Sequence, residues 1–258
     1  MKYLVLVLVS LARIARADDA GYATLDRQDR ATKLGAELMY FSIPHGGQWT
    51  RLDLAALLVH PSTGLGLYAQ MPFAYESDSS ANQIFALGGL ELGGLVATRA
   101  GVVLHAGIVL PTGSAGDNAN VIGTTLAARP SDLIQALPNT TSIRAGIAYE
   151  FRADELFGRI ELGVDATLIV DDSTGSVPSD SWLHLNGALG FDAGDLTLAV
   201  ETSNAFSLGS AGSTFDVIAA AIRLRAGCAR PYLAAVVPLD AQPNEPRVAF
   251  VAGIEQRF

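Results

Sequence analysis

The 258-residue chain holds one cysteine, Cys228. A lone thiol excludes an intrachain disulfide and any multi-cysteine metal site; Cys228 is expected to be a small apolar residue in a turn, with a reactive thiol as the alternative. Basic residues are scarce as well, 17 Lys and Arg against 26 Asp and Glu. That balance argues against nucleic-acid binding, which needs a basic face, and against electrostatic docking on anionic lipid. The histidines (His45, His60, His105 and His184) are dispersed, with no second ligand at metal spacing, so neither a metal nor a cofactor is expected. The most informative lack is of a long apolar run. Half the chain is hydrophobic, yet no stretch reaches the roughly 18 apolar residues of a spanning helix. The periodicity is two rather than 3.6, which disfavours a helical bundle. Two classes remain: a large soluble β-protein, or a barrel whose apolar residues face lipid.

The two ends choose between them. Met1-Lys2 followed by the apolar run 3–12 and by Ala15-Arg16-Ala17 predicts a secretory signal over 1–17, with Ala15 and Ala17 at the positions read by the peptidase. Its removal takes Lys2, Arg13 and Arg16 and leaves 14 basic against 26 acidic residues, a net of −12. Residues 18–31 are polar and unpatterned and are expected to form a flexible periplasmic lead, with a short plug as the alternative. The last twelve residues, 247–258, place Val248, Phe250, Ala252, Ile254, Gln256 and Phe258 on one face of a strand. Arg247, Ala249, Val251, Gly253, Glu255 and Arg257 fall on the other. An alternating last strand with a final Phe resembles the closing strand of Gram-negative outer-membrane β-barrels. In those proteins the terminal Phe is an assembly signal, which the resemblance carries to Phe258.

Between the ends, alternation predicts twelve strands, at 33–43, 48–60, 65–75, 84–96, 102–110, 142–151, 159–170, 182–191, 196–204, 214–225, 231–238 and 247–258. Ten or fourteen remain open. About ten residues per strand suits a tilted membrane strand, and an even count suits a single-chain barrel. Links after even-numbered strands are mostly tight. The link after the fifth is long (111–141), and those after the third, seventh, ninth and eleventh are polar. Short periplasmic turns alternating with longer outer loops are the arrangement of an all-β, antiparallel, up-and-down transmembrane barrel. The predicted organisation is therefore 1–17 signal, 18–31 lead and 32–258 a single barrel in the outer membrane of a Gram-negative bacterium. Its expected partners are membrane lipid, the barrel assembly machinery and a small solute; it is expected to be monomeric.

Polar residues on the predicted inner faces are the candidate site. Glu37, Arg51, Asp53, Glu91, His105, Arg144, Glu161, Asp165, His184, Asn186 and Glu201 are expected to line a pathway, with Glu150 and Glu255 in the same inward set. Twelve strands lie between the filled eight-stranded barrel and the open porin. These charges can therefore line a route or pair across the lumen and fill it, and 111–141 can gate the route or fold into it. Residues 183–187 (Leu-His-Leu-Asn-Gly) resemble the His and Asn-Gly region of outer-membrane phospholipases, but Asn186 stands where the nucleophilic serine is needed. No enzyme is expected, and a hydrolase is the remote alternative. Asp117, Asp171, Asp172 and Asp180 read as solvated loop acids rather than a calcium site.

The run 86–95 (Ala-Leu-Gly-Gly-Leu-Glu-Leu-Gly-Gly-Leu), followed by 107–113 (Gly-Ile-Val-Leu-Pro-Thr-Gly) and Asp117, resembles a family of outer-membrane transporters associated with meta-pathway phenol degradation. Pro72-Phe73 fits the same pattern, whereas Gly89 replaces the family's Asp. The resemblance covers about a third of the chain. It implies a channel or transporter for small aromatic or hydrophobic solutes. A closed structural or adhesive barrel is the alternative.

Overall fold

Alternating side chains become thirteen strand segments in the computed structural model, which describes residues 28–42, 48–77, 83–112, 125, 128–137, 140–169, 181–209, 213–240 and 248–258. The predicted signal with Ala15 and Ala17, residues 18–27 of the predicted lead, His45, Arg247 and the four loop acids lie outside the described residues. The segments are β1 (Lys33–Ser42), β2 (Gln48–Val59), β3 (Leu65–Ser77), β4 (Gln83–Leu87), β5 (Leu90–Ala97), β6 (Val102–Leu110), β7 (Thr140–Ala153), β8 (Leu156–Ile169), β9 (Ser181–Ala193), β10 (Leu196–Ser207), β11 (Thr214–Leu224), β12 (Ala229–Pro238) and β13 (Ala249–Arg257). All pairings are antiparallel and, apart from the closing β1–β13 pair and from β4 and β5, which both pair with β3, join sequence neighbours. β1 joins β13, and β3 joins both β2 and the β4–β5 pair, so the sheet closes on itself. β4 and β5 are two parts of one wall strand, which makes a closed twelve-stranded barrel.

Sequence alternation predicts one strand over 84–96; the wall instead breaks at Gly88 and Gly89. β3 pairs Gln70 with Glu91 and then Phe73 with Leu87, so three residues of one strand face two of the other. That is a bulge, and it falls opposite Pro72, which has no N–H to offer the ladder. The diverted groups find other partners. The Gly89 N–H donates to the Gln135 carbonyl (2.6 Å), Thr112 Oγ1 donates to the Gly88 carbonyl (2.6 Å), and the Leu90 N–H donates to Thr112 Oγ1 (3.0 Å).

Connections at 60–64, 98–101, 154–155, 194–195 and 225–228 are tight, and the longer ones lie at the opposite end. The tight end is the periplasmic one. Cys228 is exposed in one of these turns, as expected. On the outside, Leu38, Leu54, Leu67, Ile147, Leu162 and Leu198 are all exposed, a continuous apolar belt that only lipid can solvate. Tyr40, Tyr75, Phe85 and Phe250 mark the outer rim of the belt, and Phe191 and Phe258 the periplasmic rim, as interfacial aromatics do. No described helix is long and apolar enough to cross a membrane. The chain is an outer-membrane β-barrel.

The inner surface is shaped by glycine. Tyr68 lies flat on the wall over Gly93 and Gly107, and Tyr232 lies over Gly253; a Cβ at any of the three would run into the ring. We expect Gly93→Ala to push Tyr68 off its bond to Glu91 Oε1 (2.8 Å) and to destabilise the barrel by about 1–3 kcal/mol. Urea unfolding in detergent or bilayers checks this; an unchanged midpoint would mean that the ring adapts freely.

Candidate functional site: the lumen and its inner segment

Strand pleating sends alternate side chains inward, and in this chain the inward set is charged at mid-height. Glu37 of β1 stands directly opposite Asp53 of β2 in the ladder, a like-charge pair that is unfavourable unless cations intervene. Arg51, two residues from Asp53 on the same face, donates Nε to Asp53 Oδ1 at 2.8 Å. Across the barrel, Arg144 of β7 faces Asp165 of β8 in register and donates Nε to Oδ1 at 3.0 Å. It also reaches Glu91 Oε2 on β5 at 3.3 Å. His184 of β9 shares a hydrogen with the other Asp165 oxygen through Nε2.

Between these walls lies part of the connection from β6 to β7. It enters the lumen as a 3-10 turn, Pro130–Asp132, followed by a four-residue helix, Leu133–Ala136. Residues 128–136 are buried throughout. Asp132 is the hub: its carboxylate accepts from Arg129 Nε (2.7 Å), Gln70 Nε2 (3.3 Å), and the guanidiniums of Arg51 and Arg144 (3.5 Å each). Arg129 also reaches Glu37 (3.4 Å), Gln135 donates to Glu91 Oε2, and Arg51 donates to Thr125 Oγ1. The Ser131 carbonyl accepts from Arg144. Charges that cost several kcal/mol each to desolvate are thus matched group by group.

Other residues of the segment meet apolar wall. Leu133 packs on Trp182 and Ala205, and Ala136 on Ala74 and Ala86. Ala128 joins a larger cluster with Met39, Phe41, Val217, Val236 and Val251. These five wall residues lie towards the outer ends of β1, β11, β12 and β13. The lumen is therefore apolar on one side near its outer mouth and charged below. The inner segment covers both zones.

Every predicted pathway residue faces the lumen and is at least nine-tenths buried. Glu37, Arg51, Asp53, Glu91, Arg144, Asp165 and His184 gather around the inner segment. Glu161 and Asn186 form a second group, with Asn186 Nδ2 donating to Glu161 Oε2 (3.1 Å) and Arg159 bonded to both Glu161 and Glu150 (2.6 Å to the latter). His105 sits edge-on to Tyr68, ring centroids 6.2 Å apart. Glu201 is fully buried on β10. The charges pair with near-neighbour wall strands and with the inner segment, and residues 128–136 of the long connection lie within the lumen. The Nδ1 of His184 has no hydrogen-bond partner among the described residues.

Sequence reasoning missed Arg129, Asp132 and Gln135, which lie in a stretch without period. It also missed Arg159, Lys33, Tyr68 and Tyr232 as lumen groups; their parity with Glu161, Glu37, Gln70 and Arg230 was the available signal. At the periplasmic mouth, Lys33 Nζ bonds Asp29 Oδ2 (2.8 Å) and Glu255 Oε1 (3.2 Å). Burial works against the charge of Asp29, but Lys33 and Arg257 hold its carboxyl below the usual carboxylate range. A depressed acid stabilises the fold fully above its unfolded value, about 3.9, and loses that contribution as pH falls through its folded value. This mouth therefore keeps its pairing throughout the neutral range.

No family model matches the sequence, and no curated protein matches it. Solved structures do. An outer membrane channel from Pseudomonas putida F1 is 12% identical, with a TM-score of 0.58 over 93% of this chain and 99% of that one. The translocator domain of the autotransporter NalP from Neisseria meningitidis is 9% identical, with a TM-score of 0.55 over 100% of this chain and 96% of that one. At these identities the likeness is one of fold: an outer-membrane barrel of this size.

Proposed function

We propose that the protein is a gated outer-membrane channel for small, poorly polar solutes, aromatic ones included, and that residues 128–137 are its plug. One observation carries this reading. The plug is held mainly by ion pairs and hydrogen bonds that water and wall groups can replace, and it covers an apolar inner wall (Met39, Phe41, Val217, Val236 and Val251) that a solute could occupy in its stead. A lumen filler with no need to leave would be better packed with apolar side chains, since buried ion pairs add little net stability. The likeness to a channel of the same architecture supports the reading. A closed structural barrel is the second reading, favoured by the completeness of the pairing.

Liposome uptake separates the two. Vesicles carrying Asp132→Ala should take up a small phenol-like solute at least several-fold faster than wild-type vesicles, and faster than a polyol of equal size. No uptake by a correctly inserted variant would leave the structural barrel standing. With the plug displaced, the wall at its level keeps Glu37, Asp53, Glu91, Asp165 and Glu201 against Arg51 and Arg144, so the open state should prefer cations. In the same background, Glu161→Gln with Asp165→Asn should shift the reversal potential in a salt gradient towards zero. An unmoved potential would remove both residues from the ion path.

A further inference from the structure

The segment just ahead of β1 crosses the periplasmic mouth. Thr32 is fixed at the rim: its Oγ1 donates to the Val59 carbonyl (3.1 Å) and accepts from the Val59 N–H (2.9 Å), while its carbonyl accepts from the Phe258 N–H (3.0 Å). Four residues earlier, the Gln28 carbonyl accepts from Arg159 Nη2 at 2.9 Å. Arg159 belongs to β8, which lies six strands from β1 around the ring of twelve, on the far side of the barrel. Five residues reach about 17 Å when extended, enough to bring Gln28 within range of that long side chain. Gln28 and Asp29 are buried, at 2% and 6% exposure. Asp29 is clamped by Lys33 (2.8 Å) and Arg257 (3.5 Å).

What lies beyond this segment matters as much. Gln28, Lys33 and Glu255 border one side of a cavity of about 20 Å³ that Tyr68 and Tyr232 also line, and Glu37, Asp53 and Gln70 border the other. Of these last three, Glu37 and Gln70 bond the plug directly, and Asp53 holds the Arg51 that does. Such a space admits about one water. The Oε1 of Gln28 is buried without a hydrogen-bond partner among the described residues, as an acceptor facing a small wet space would be.

We propose that residues 28–32 are a strap that closes the periplasmic mouth, a second gate in series with the plug. The proposal rests on the channel reading above. A solute that has displaced the plug meets the strap before it can leave. The two closures share no direct bond among those described, so each can open alone. Asp29 is the latch: Lys33 and Arg257, which the wall's Glu255 already pairs, also hold its carboxylate, the strap's own acid.

Single-channel recording with the full chain in planar bilayers tests this, using wild type, Asp132→Ala, Asp29→Lys and the double variant. A lysine in place of Asp29 would be a third cation beside Lys33 and Arg257, with Glu255 the one carboxylate that both of these bond left among them, and should be expelled. Asp29→Lys alone should stay as closed as wild type, because the plug remains. Asp132→Ala should give small or brief openings. The double variant should conduct at least about five-fold more than Asp132→Ala. Equal conductance of the double and Asp132→Ala would overturn the strap while leaving the channel. Silence of both, with native heat-modifiable mobility on gels, would overturn the channel reading and the strap with it. Should Asp29→Lys fail to fold, deletion of 28–31 in the Asp132→Ala background gives the same comparison.

Discussion

Asp132→Ala is expected to detach the plug. Asp132 takes hydrogens from three guanidiniums and one amide, and removing one member of a buried ion-pair network costs about 3–5 kcal/mol. The lower end applies here, since Arg51 keeps Asp53, Arg144 keeps Asp165 and Glu91, and Arg129 keeps Glu37. At about 1.4 kcal/mol per factor of ten, 3 kcal/mol moves the docked-to-released ratio about 100-fold. Amide exchange across 128–137, followed by mass spectrometry on the inserted protein, should accelerate by that order, while the β7–β8 ladder exchanges as before. Gln135→Glu, which sets a second carboxylate against Glu91, should act in the same direction. Exchange unchanged in both would mean that apolar packing of Leu133 and Ala128 holds the segment, and the gate would lose its physical basis.

The sequence made the walls legible and hid what lies between them. Side-chain parity is a local property: Glu161 and Asp165 can face inward only if Ile160, Leu162 and Val164 face lipid, and one strand suffices to see it. Arg159 obeyed the same parity but sat at a predicted strand end, where alternation had too few neighbours to speak. The bulge at Gly88 and Gly89 was invisible for another reason. It arises from Pro72 on the facing strand, and a register shift belongs to a pair of strands rather than to either alone. The plug was least legible. Arg129 meets Glu37 across 92 positions and Arg51 meets Asp132 across 81, and no period in 111–141 records such contacts. Its helix has only four residues, too few to leave an amphipathic pattern. The sequence could show that charges would face a lumen. Which charge would meet which depended on a segment whose path only the fold sets.

Leu162→Arg is the second large effect expected, and it acts from the opposite side of the wall. Leu162 lies midway along β8 (Leu156–Ile169), is 48% exposed, and is flanked outside by Ile160 and Val164. An arginine at the bilayer midplane of such a barrel costs about 2–4 kcal/mol, falling to about 0–1 near the interfaces. Leu156→Arg, at the periplasmic end of the same strand, should therefore cost little. On either side of Leu162 along the chain but on the inner face, Glu161 and Gly163 border a lumen in which Arg159 is tolerated because Glu150 and Glu161 receive it. The same side chain is thus paired on one face of the strand and stranded in hydrocarbon on the other. Folding titrations into bilayers of wild type and the two variants measure the difference. A midplane penalty well above the rim penalty places the belt at the depth the fold assigns it. Equal small penalties at both positions would mean that this face does not lie in the hydrocarbon, and the inner segment would then be the filler of a barrel in water.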